Sequence, residues 1–495
     1  MPIKYCSTRN NTLKVEASQA VLKGLSDEGG LFVPEKMPTL DKTLAELATM
    51  DYQEVAYQVM KLFLTDYTKE ELSACIKKAY DAKFDTPEIA PLVKVDDDYF
   101  LELFHGATIA FKDMALSILP HLLTTAAKKN KVEDEIVILT ATSGDTGKAA
   151  MAGFADVAGT KIIVFYPKDG VSKVQEAQML TQKGENVEVV AIKGNFDEAQ
   201  SGVKALFENK GLEEELLHKG IRFSSANSIN IGRLVPQVAY YVYAYTRLLK
   251  EAEIKDGEAL NVVVPTGNFG NILAAYYAKE IGVPIHKLIC ASNDNKVLYD
   301  FFKTGTYDKN RDFILTTSPS MDILISSNLE RLLFAIADYD SKKTKELMEA
   351  LKTGGKYSIT ADMQEKLKDF FAGYTTEEEV QSEIKKIYEE TGYIIDTHTA
   401  VASYVCKTYK KETNDTRKNL VVSTASPYKF VKSVMTAIDK KYEAADEFSL
   451  LTKFENISKV KMPKAISEIL EAKPIHKRVC NPNEMEATVR EILDI

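Results

Sequence analysis

The sequence predicts an α/β fold built on parallel sheets, flanked by a helical N-terminal domain and a helical C-terminal extension. Three observations predict it. From residue 99 onward, short apolar runs at 99–104, 136–140, 161–166, 187–192, 261–265, 288–291 and 420–424 alternate with longer stretches of helical pattern. Strands separated by helices close into parallel sheets with crossover connections. Before that point the alternation is missing, and residues 1–95 read as short helices punctuated by Pro34, Pro38, Pro87 and Pro91 after a turn at Gly29 and Gly30. Beyond Ala444 the chain becomes amphipathic helical pieces broken at Pro463, Pro474 and Pro482. We therefore read three units, 1–95, 96–443 and 444–495. A charged helical insertion lies at 329–390, with Glu377, Glu378 and Glu379 as a solvated face.

Composition bounds the function. The 495 residues are 45% hydrophobic and 27% charged, ordinary for a globular protein with more than one core. A net charge of -9, from 63 basic and 72 acidic residues in no long like-charge block, gives no footprint for nucleic acid or an anionic membrane. A small-molecule partner is favoured, and nothing in the sequence specifies an oligomeric state. Cys6, Cys75, Cys290, Cys406 and Cys480 are scattered, odd in number and without CxxC spacing, which argues against a disulfide framework and a zinc ribbon. The first residues lack a signal-peptide layout and no stretch has the roughly 18 apolar residues of a membrane span. A cytoplasmic protein is expected. His121, His218, His286, His398 and His476 show no paired metal spacing, so no metal site is expected.

Three strand ends run into small-residue turns that open helices. In the first, Thr142-Ser143-Gly144-Asp145-Thr146-Gly147 offers hydroxyls and free amides at a helix start, an anion site. A nucleotide P-loop is excluded there, because Thr142 stands at the first glycine position and Ala149 at the last hydroxyl position. In the second, Pro265-Thr-Gly267-Asn268-Phe269-Gly270-Asn271 lets backbone amides approach a phosphate closely while both asparagines add donors. A plain tight turn is the alternative for either loop. The third, Phe104-His105-Gly-Ala-Thr-Ile-Ala-Phe-Lys112-Asp113, leads into a helix at 114–123 with Pro120 as a kink. Burial and a positive helix end would both disfavour the Lys112 ammonium and yield the neutral amine that a Schiff base requires. A surface lysine is the bland alternative.

Together with Ser423-Thr-Ala-Ser-Pro-Tyr-Lys-Phe430, these motifs in this order resemble the threonine synthase family, its longer bacterial and fungal subgroup, among the tryptophan-synthase-β-like, fold-type II pyridoxal phosphate enzymes. The resemblance runs from Tyr5-Cys-Ser-Thr-Arg9 and Glu28-Gly-Gly-Leu-Phe-Val-Pro34 to about Lys440. It implies two α/β lobes and a pyridoxal 5'-phosphate cofactor on Lys112, with its phosphate in the loop Gly267, Asn268, Phe269, Gly270 and Asn271. It further implies that Thr424 faces the pyridine nitrogen, with Ser423 as fallback. The loop bearing Thr142, Ser143 and Thr146 would hold the substrate carboxylate. Asp145 flanks the ring, where many relatives carry Asn, and a carboxylate there needs a shared proton or a lysine partner.

By the same resemblance the substrate is O-phospho-L-homoserine, whose phosphate demands a second anion site. Asn227, Ser228 and Arg233 can supply it at the start of a helix with Pro236 in its first turn. The alternative for Arg233 is an ordinary pair with a surface carboxylate. His105 could position reacting groups or be structural. The activity implied is that of a carbon–oxygen lyase forming threonine and phosphate. Beside it stand a threonine-synthase-like phospholyase yielding 2-oxobutyrate, a serine/threonine dehydratase, and a silent cofactor-binding regulatory protein.

Overall fold

The computed structural model describes residues 2–142, 144–168 and 170–495. The apolar runs become the strands of two separate sheets. The larger has the order Phe370–Tyr374, Ile285–Ser292, Leu260–Pro265, Asn419–Ser423, Asp98–Glu102, Leu92–Val95. Its strands are parallel except for the last pair, Leu92–Val95 and Asp98–Glu102, which is antiparallel. The smaller, wholly parallel sheet has the order Arg478–Cys480, Val187–Ile192, Thr160–Pro167, Glu135–Ala141, Ile221–Ser224. Its central strands are almost continuously buried, as both-faced coverage by helices requires. Ligand sites in such sheets form outside the carboxyl ends of the strands. All three predicted turns lie at such ends.

The helix Ile231–Lys250, nearly all of it buried, packs against Gly270–Glu280 of the large lobe and the N-terminal helix Tyr52–Phe63. Asn230 caps its start, accepting from the Gly232 amide and donating from Nδ2 to Val21 O at 2.9 Å. The N-terminal region is not purely helical. It also carries a three-stranded antiparallel sheet, Asn10–Val15, Tyr5–Ser7 and Phe32–Pro34.

Several expectations need correction. The region 329–390 is not a helical insertion alone: Phe370–Tyr374 is an edge strand of the large sheet, paired in parallel with Ile285–Ser292. Glu377, Glu378 and Glu379 form the first turn of the helix Glu377–Thr391, where Glu379 completes a capping box with Thr376 and Glu377 accepts from Thr317 N. Glu377 and Glu379 are therefore tied to the helix end, while Glu378 is exposed to solvent as expected. Pro120 does not kink a helix; it sits at the second position of Leu119–Lys129, after the short helix Asp113–Leu116. Pro236 lies in the second turn of its helix, not the first.

The C-terminal extension is likewise more than helices. Glu447–Ser458 packs on Val431–Ile438 of the large lobe, Lys464–Glu471 on Lys173–Leu180 of the small lobe, and Arg478–Cys480 extends the small sheet. Among the described residues, no helix is long and apolar enough to cross a membrane.

Candidate active site

Lys112 is placed by the strand end that precedes it. The Phe111 amide donates to Thr424 O at 2.8 Å and Leu103 N to Ser423 O at 3.0 Å, so the Lys112 segment is fastened to the end of Asn419–Ser423. The Asp113 carboxylate closes the turn by accepting from Thr108 N and Thr108 Oγ1 at 2.8 and 2.6 Å. Lys112 Nζ then lies 3.2 Å from Ser320 Oγ and 3.9 Å from Asp145 Oδ2. Burial lowers the Lys112 amine to about 8; Asp145 opposes that shift, while Lys429 and Arg233 add to it. The result is an amine that is partly neutral near pH 7.

Asp145 opens the small-lobe helix Asp145–Phe154 and points at the same spot. It has the lysine partner that a carboxylate there requires: Lys429 Nζ, fully buried, is 3.2 Å from Oδ1 and also donates to Thr108 O at 2.9 Å. Gln175 Nε2 donates to Oδ1 at 3.0 Å and Ser320 Oγ to Oδ2 at 3.2 Å. Burial works against the Asp145 charge, but Lys429, Lys112 and these hydrogen bonds outweigh it and hold the carboxyl well below the usual carboxylate range. Ser320 is fixed in turn by its backbone N–H, which donates to His398 Nε2 at 3.2 Å, while His398 Nδ1 donates to Asp396 Oδ2 at 2.8 Å.

The loop after Leu260–Pro265 is shaped as an anion cradle. Gly267 has no room for a side chain, since a Cβ there would lie 2.5 Å from Ser320 O. Phe269 takes a left-handed conformation, φ +65°, which turns successive amides toward one side at the start of Gly270–Glu280. Among the described residues, the amides of Asn268, Phe269 and Gly270 have no acceptor. Asn271 has its Oδ1 occupied by the hydroxyls of Tyr240 and Tyr241, which forces Nδ2 the other way, buried and unpartnered.

Arg233 is 4% exposed, and no carboxylate pairs with it among the described residues. Its Nη1 donates to Ala226 O at 2.6 Å and its Nε is buried without a partner. Burial lowers this guanidinium to about 10. The surface-pair alternative is thereby removed. Ser228 is joined to the cradle through Asn328 Nδ2, which lies 3.5 Å from Ser228 Oγ and donates to Asn268 O at 3.1 Å. Asn227 Oδ1 accepts from Ile229 N at 3.3 Å.

Other predicted residues fare differently. The Thr142 hydroxyl is engaged by its own loop, accepting from Gly144 N and Gly147 N, each at 3.0 Å. It shapes the loop, in which its hydroxyl also donates to Gly144 O at 3.2 Å. Thr146 makes no hydrogen bond through its side chain among the described residues, and Ser143 lies outside them. Thr424 is buried, with no hydrogen bond from its hydroxyl among the described residues, whereas Ser423 Oγ is 3.1 Å from Thr399 Oγ1. His105 is held between Asp85 Oδ1 at 2.6 Å and Glu102 Oε2 at 2.8 Å. Burial opposes its charge, yet these two carboxylates raise it to about 9, so it is a structural imidazolium. Ser320, Gln175, His398 and Lys429 were not foreseen as site residues. Only Lys429 carried a signal, since it lies within the motif that ends at Phe430.

Three family models match the chain: "Threonine synthase N terminus" over residues 4–80, "Pyridoxal-phosphate dependent enzyme" over 85–425, and "Threonine synthase, C-terminal" over 399–486. Threonine synthase of Saccharomyces cerevisiae is 37% identical over 88% of this chain and 89% of its own length. The chain belongs to the threonine synthase family. The human protein named threonine synthase-like 1 is 40% identical over 85% of this chain, which spans 58% of that relative's length. The crystal structure of pyridoxal-phosphate-bound threonine synthase from Brucella melitensis covers 99% of both chains with a TM-score of 0.87 at 33% identity. The yeast crystal structure gives 0.88 at 32% identity over 99% of both chains. The residues of this chain fit the family cofactor. The buried Lys112 amine, lowered to about 8, suits condensation with an aldehyde, and the orphaned amides and Asn271 Nδ2 suit a phosphate.

Proposed function

We propose that the chain converts O-phospho-L-homoserine and water to L-threonine and phosphate, with pyridoxal phosphate as cofactor. The observation that carries this reading is Arg233, a buried guanidinium with, among the described residues, an unpartnered Nε and no carboxylate partner. A cation left so is costly until an anion completes it. A phosphorylated substrate brings that anion; the hydroxy-amino acid substrate of a dehydratase does not.

In this reading Lys112 holds the cofactor, and Gly267, Asn268, Phe269, Gly270 and Asn271 take its phosphate. Thr424 faces its ring nitrogen, a choice supported by its hydroxyl having no partner among the described residues where that of Ser423 is engaged. Asp145 lies beside the ring with Lys429 as its counter-ion. Ser143 and Thr146, on the loop that Thr142 shapes, receive the substrate carboxylate. Asn227, Ser228 and Arg233 receive the substrate phosphate. When bound, pyridoxal phosphate supplies an electron-accepting ring that acidifies the substrate's α and β carbon–hydrogen bonds. Lys112 Nζ removes the α proton, its depressed pKa giving a useful share of neutral amine at neutral pH. Ser320, held by Asp145 and His398, keeps that amine in place between transfers. Arg233 balances the charge of the departing phosphate. Five buried, unpaired cysteines suit a reducing compartment, and we place the reaction in the cytoplasm.

The test is to incubate the cofactor-loaded protein with O-phospho-L-homoserine, assay phosphate and identify the carbon product. Threonine equal to the phosphate released is expected. Phosphate with 2-oxobutyrate would reassign the chain as a phospholyase, and no phosphate from folded, loaded protein would overturn the substrate.

A further inference from the structure

Arg331 is a second buried guanidinium without a carboxylate of its own. It is 2% exposed, and no ion pair is formed by it among the described residues. The neighbouring Glu330 is already engaged. Arg9 forks onto it with Nε and Nη2 at 2.9 and 2.8 Å, and Thr8 Oγ1 donates to it at 2.6 Å. Arg331 instead reaches three neutral acceptors in three different parts of the chain. Nε donates to Phe32 O at 3.0 Å in the N-terminal sheet, Nη1 to Asn328 Oδ1, and Nη2 to Ile229 O at 2.5 Å.

Two of those acceptors belong to the two phosphate loops. Asn328, with its Oδ1 held by Arg331, turns Nδ2 to Asn268 O at 3.1 Å, and its own amide donates to the same carbonyl at 3.0 Å. That carbonyl belongs to the loop read as the cradle of the cofactor phosphate. Ile229 stands between Ser228 and Arg233, in the segment read as the receiver of the substrate phosphate. One planar, fixed fork therefore contacts one loop directly and the other through a single side chain. A flexible ammonium could not span the same three acceptors.

We infer that Arg331 is a positioning residue that holds the two phosphate loops in register and, by its uncompensated buried charge, favours an anion in each. This rests on the reading of Asn227, Ser228 and Arg233 as the substrate-phosphate site. It also gives the N-terminal motif a purpose. Thr8 and Arg9 occupy Glu330 and so leave the Arg331 charge available to ligands.

The experiment compares Arg331→Gln, Arg331→Lys and Asn328→Ala with the unmodified protein. Two affinities are measured without turnover: pyridoxal phosphate for the cofactor-free chain, by absorbance titration, and inorganic phosphate for the holoenzyme, by calorimetry. Arg331→Gln is expected to weaken both by about tenfold, the scale of a lost charge-assisted contact. Arg331→Lys should recover part of the inorganic phosphate affinity because it restores the charge. Asn328→Ala keeps the guanidinium and its N-terminal contact but removes the side chain that joins Arg331 to Asn268, leaving only the backbone bond, and should show the same paired loss even if the Arg331 variants fail to fold. Unchanged affinities, a loss confined to one of the two anions, or Gln and Lys variants with equal phosphate affinity would each overturn the inference. Failure of the unmodified holoenzyme to consume O-phospho-L-homoserine would strike the proposed reaction alone, since neither affinity depends on turnover.

Discussion

At Lys112 the decisive quantity is the protonation of one amine. Burial brings it to about 8, so the neutral fraction grows as pH rises through that value. The rate at which cofactor-free protein captures pyridoxal phosphate should therefore rise between pH 7 and 9, read by stopped-flow absorbance. Lys112→Ala should abolish both the visible cofactor band and turnover; normal turnover would remove the central assignment. The opposite sign holds for His105. Its pKa is raised from 6.5 to about 9 in the folded chain, so its contribution to stability is complete below about 6.5 and lost as pH rises through about 9. Thermal melts from pH 6 to 10 should show that decline, and His105→Gln should flatten it. Lys429→Met removes the nearer of the two cations beside the buried Asp145 carboxylate and should destabilise the protein by about 3 kcal/mol in urea denaturation.

Among the elements, the helix Asp145–Phe154 carries the tightest constraint. A Cβ on Gly153 would lie 2.1 Å from Leu116 O, the backbone of the helix that follows Lys112. Intrinsic propensity alone would make Gly153→Ala stabilising by about 1 kcal/mol. The close approach reverses the sign, and we expect a net loss of about 2 kcal/mol. Denaturant unfolding checks it, and a more stable variant would mean the two helices move apart freely. Interior strands were legible because their apolar runs are continuous, as in Val187–Ile192, whose observed bounds coincide with the expected run. Edge strands were not. Arg478–Cys480 buries only Cys480, Ile221–Ser224 is half-exposed, and Phe370–Tyr374 contains Gly373 and sits among charged helices. Arg478–Cys480 is too short for either pattern, the apolar run of Phe370–Tyr374 is interrupted by Gly373, and Ile221–Ser224 alternates over only four residues, the shortest run by which a strand is recognised.

Over the whole molecule, the C-terminal extension straps the lobes together. Tyr428 of the large lobe donates its hydroxyl to Val460 O at 2.6 Å and packs edge-on to Phe454, while Cys480, Met485, Val489 and Leu493 join the core beneath the small sheet. Met485, 2% exposed, packs against Gly202, so Met485→Ala should cost about 2–5 kcal/mol. Limited proteolysis should then cut the small lobe first. Cutting confined to the N-terminal domain would show that the extension does not stabilise that lobe.

The sequence by itself determined the parallel α/β architecture and the loops at which chemistry would gather. Strand, turn and helix are written in local periodicity, and the anion loops in contiguous residues whose backbone needs are local too. It also singled out Lys112 as the candidate amine, through the motifs that accompany it. What only the tertiary structure decided was charge partnership: Lys429 beside Asp145, Ser320 beside Lys112 at a separation of 208 residues, Arg9 on Glu330, and, among the described residues, buried guanidinium groups at Arg233 and Arg331 that meet neutral acceptors and no carboxylate. The physical reason is that a charge's worth depends on burial and on which distant groups converge on it. Neither is encoded in the residues that flank it.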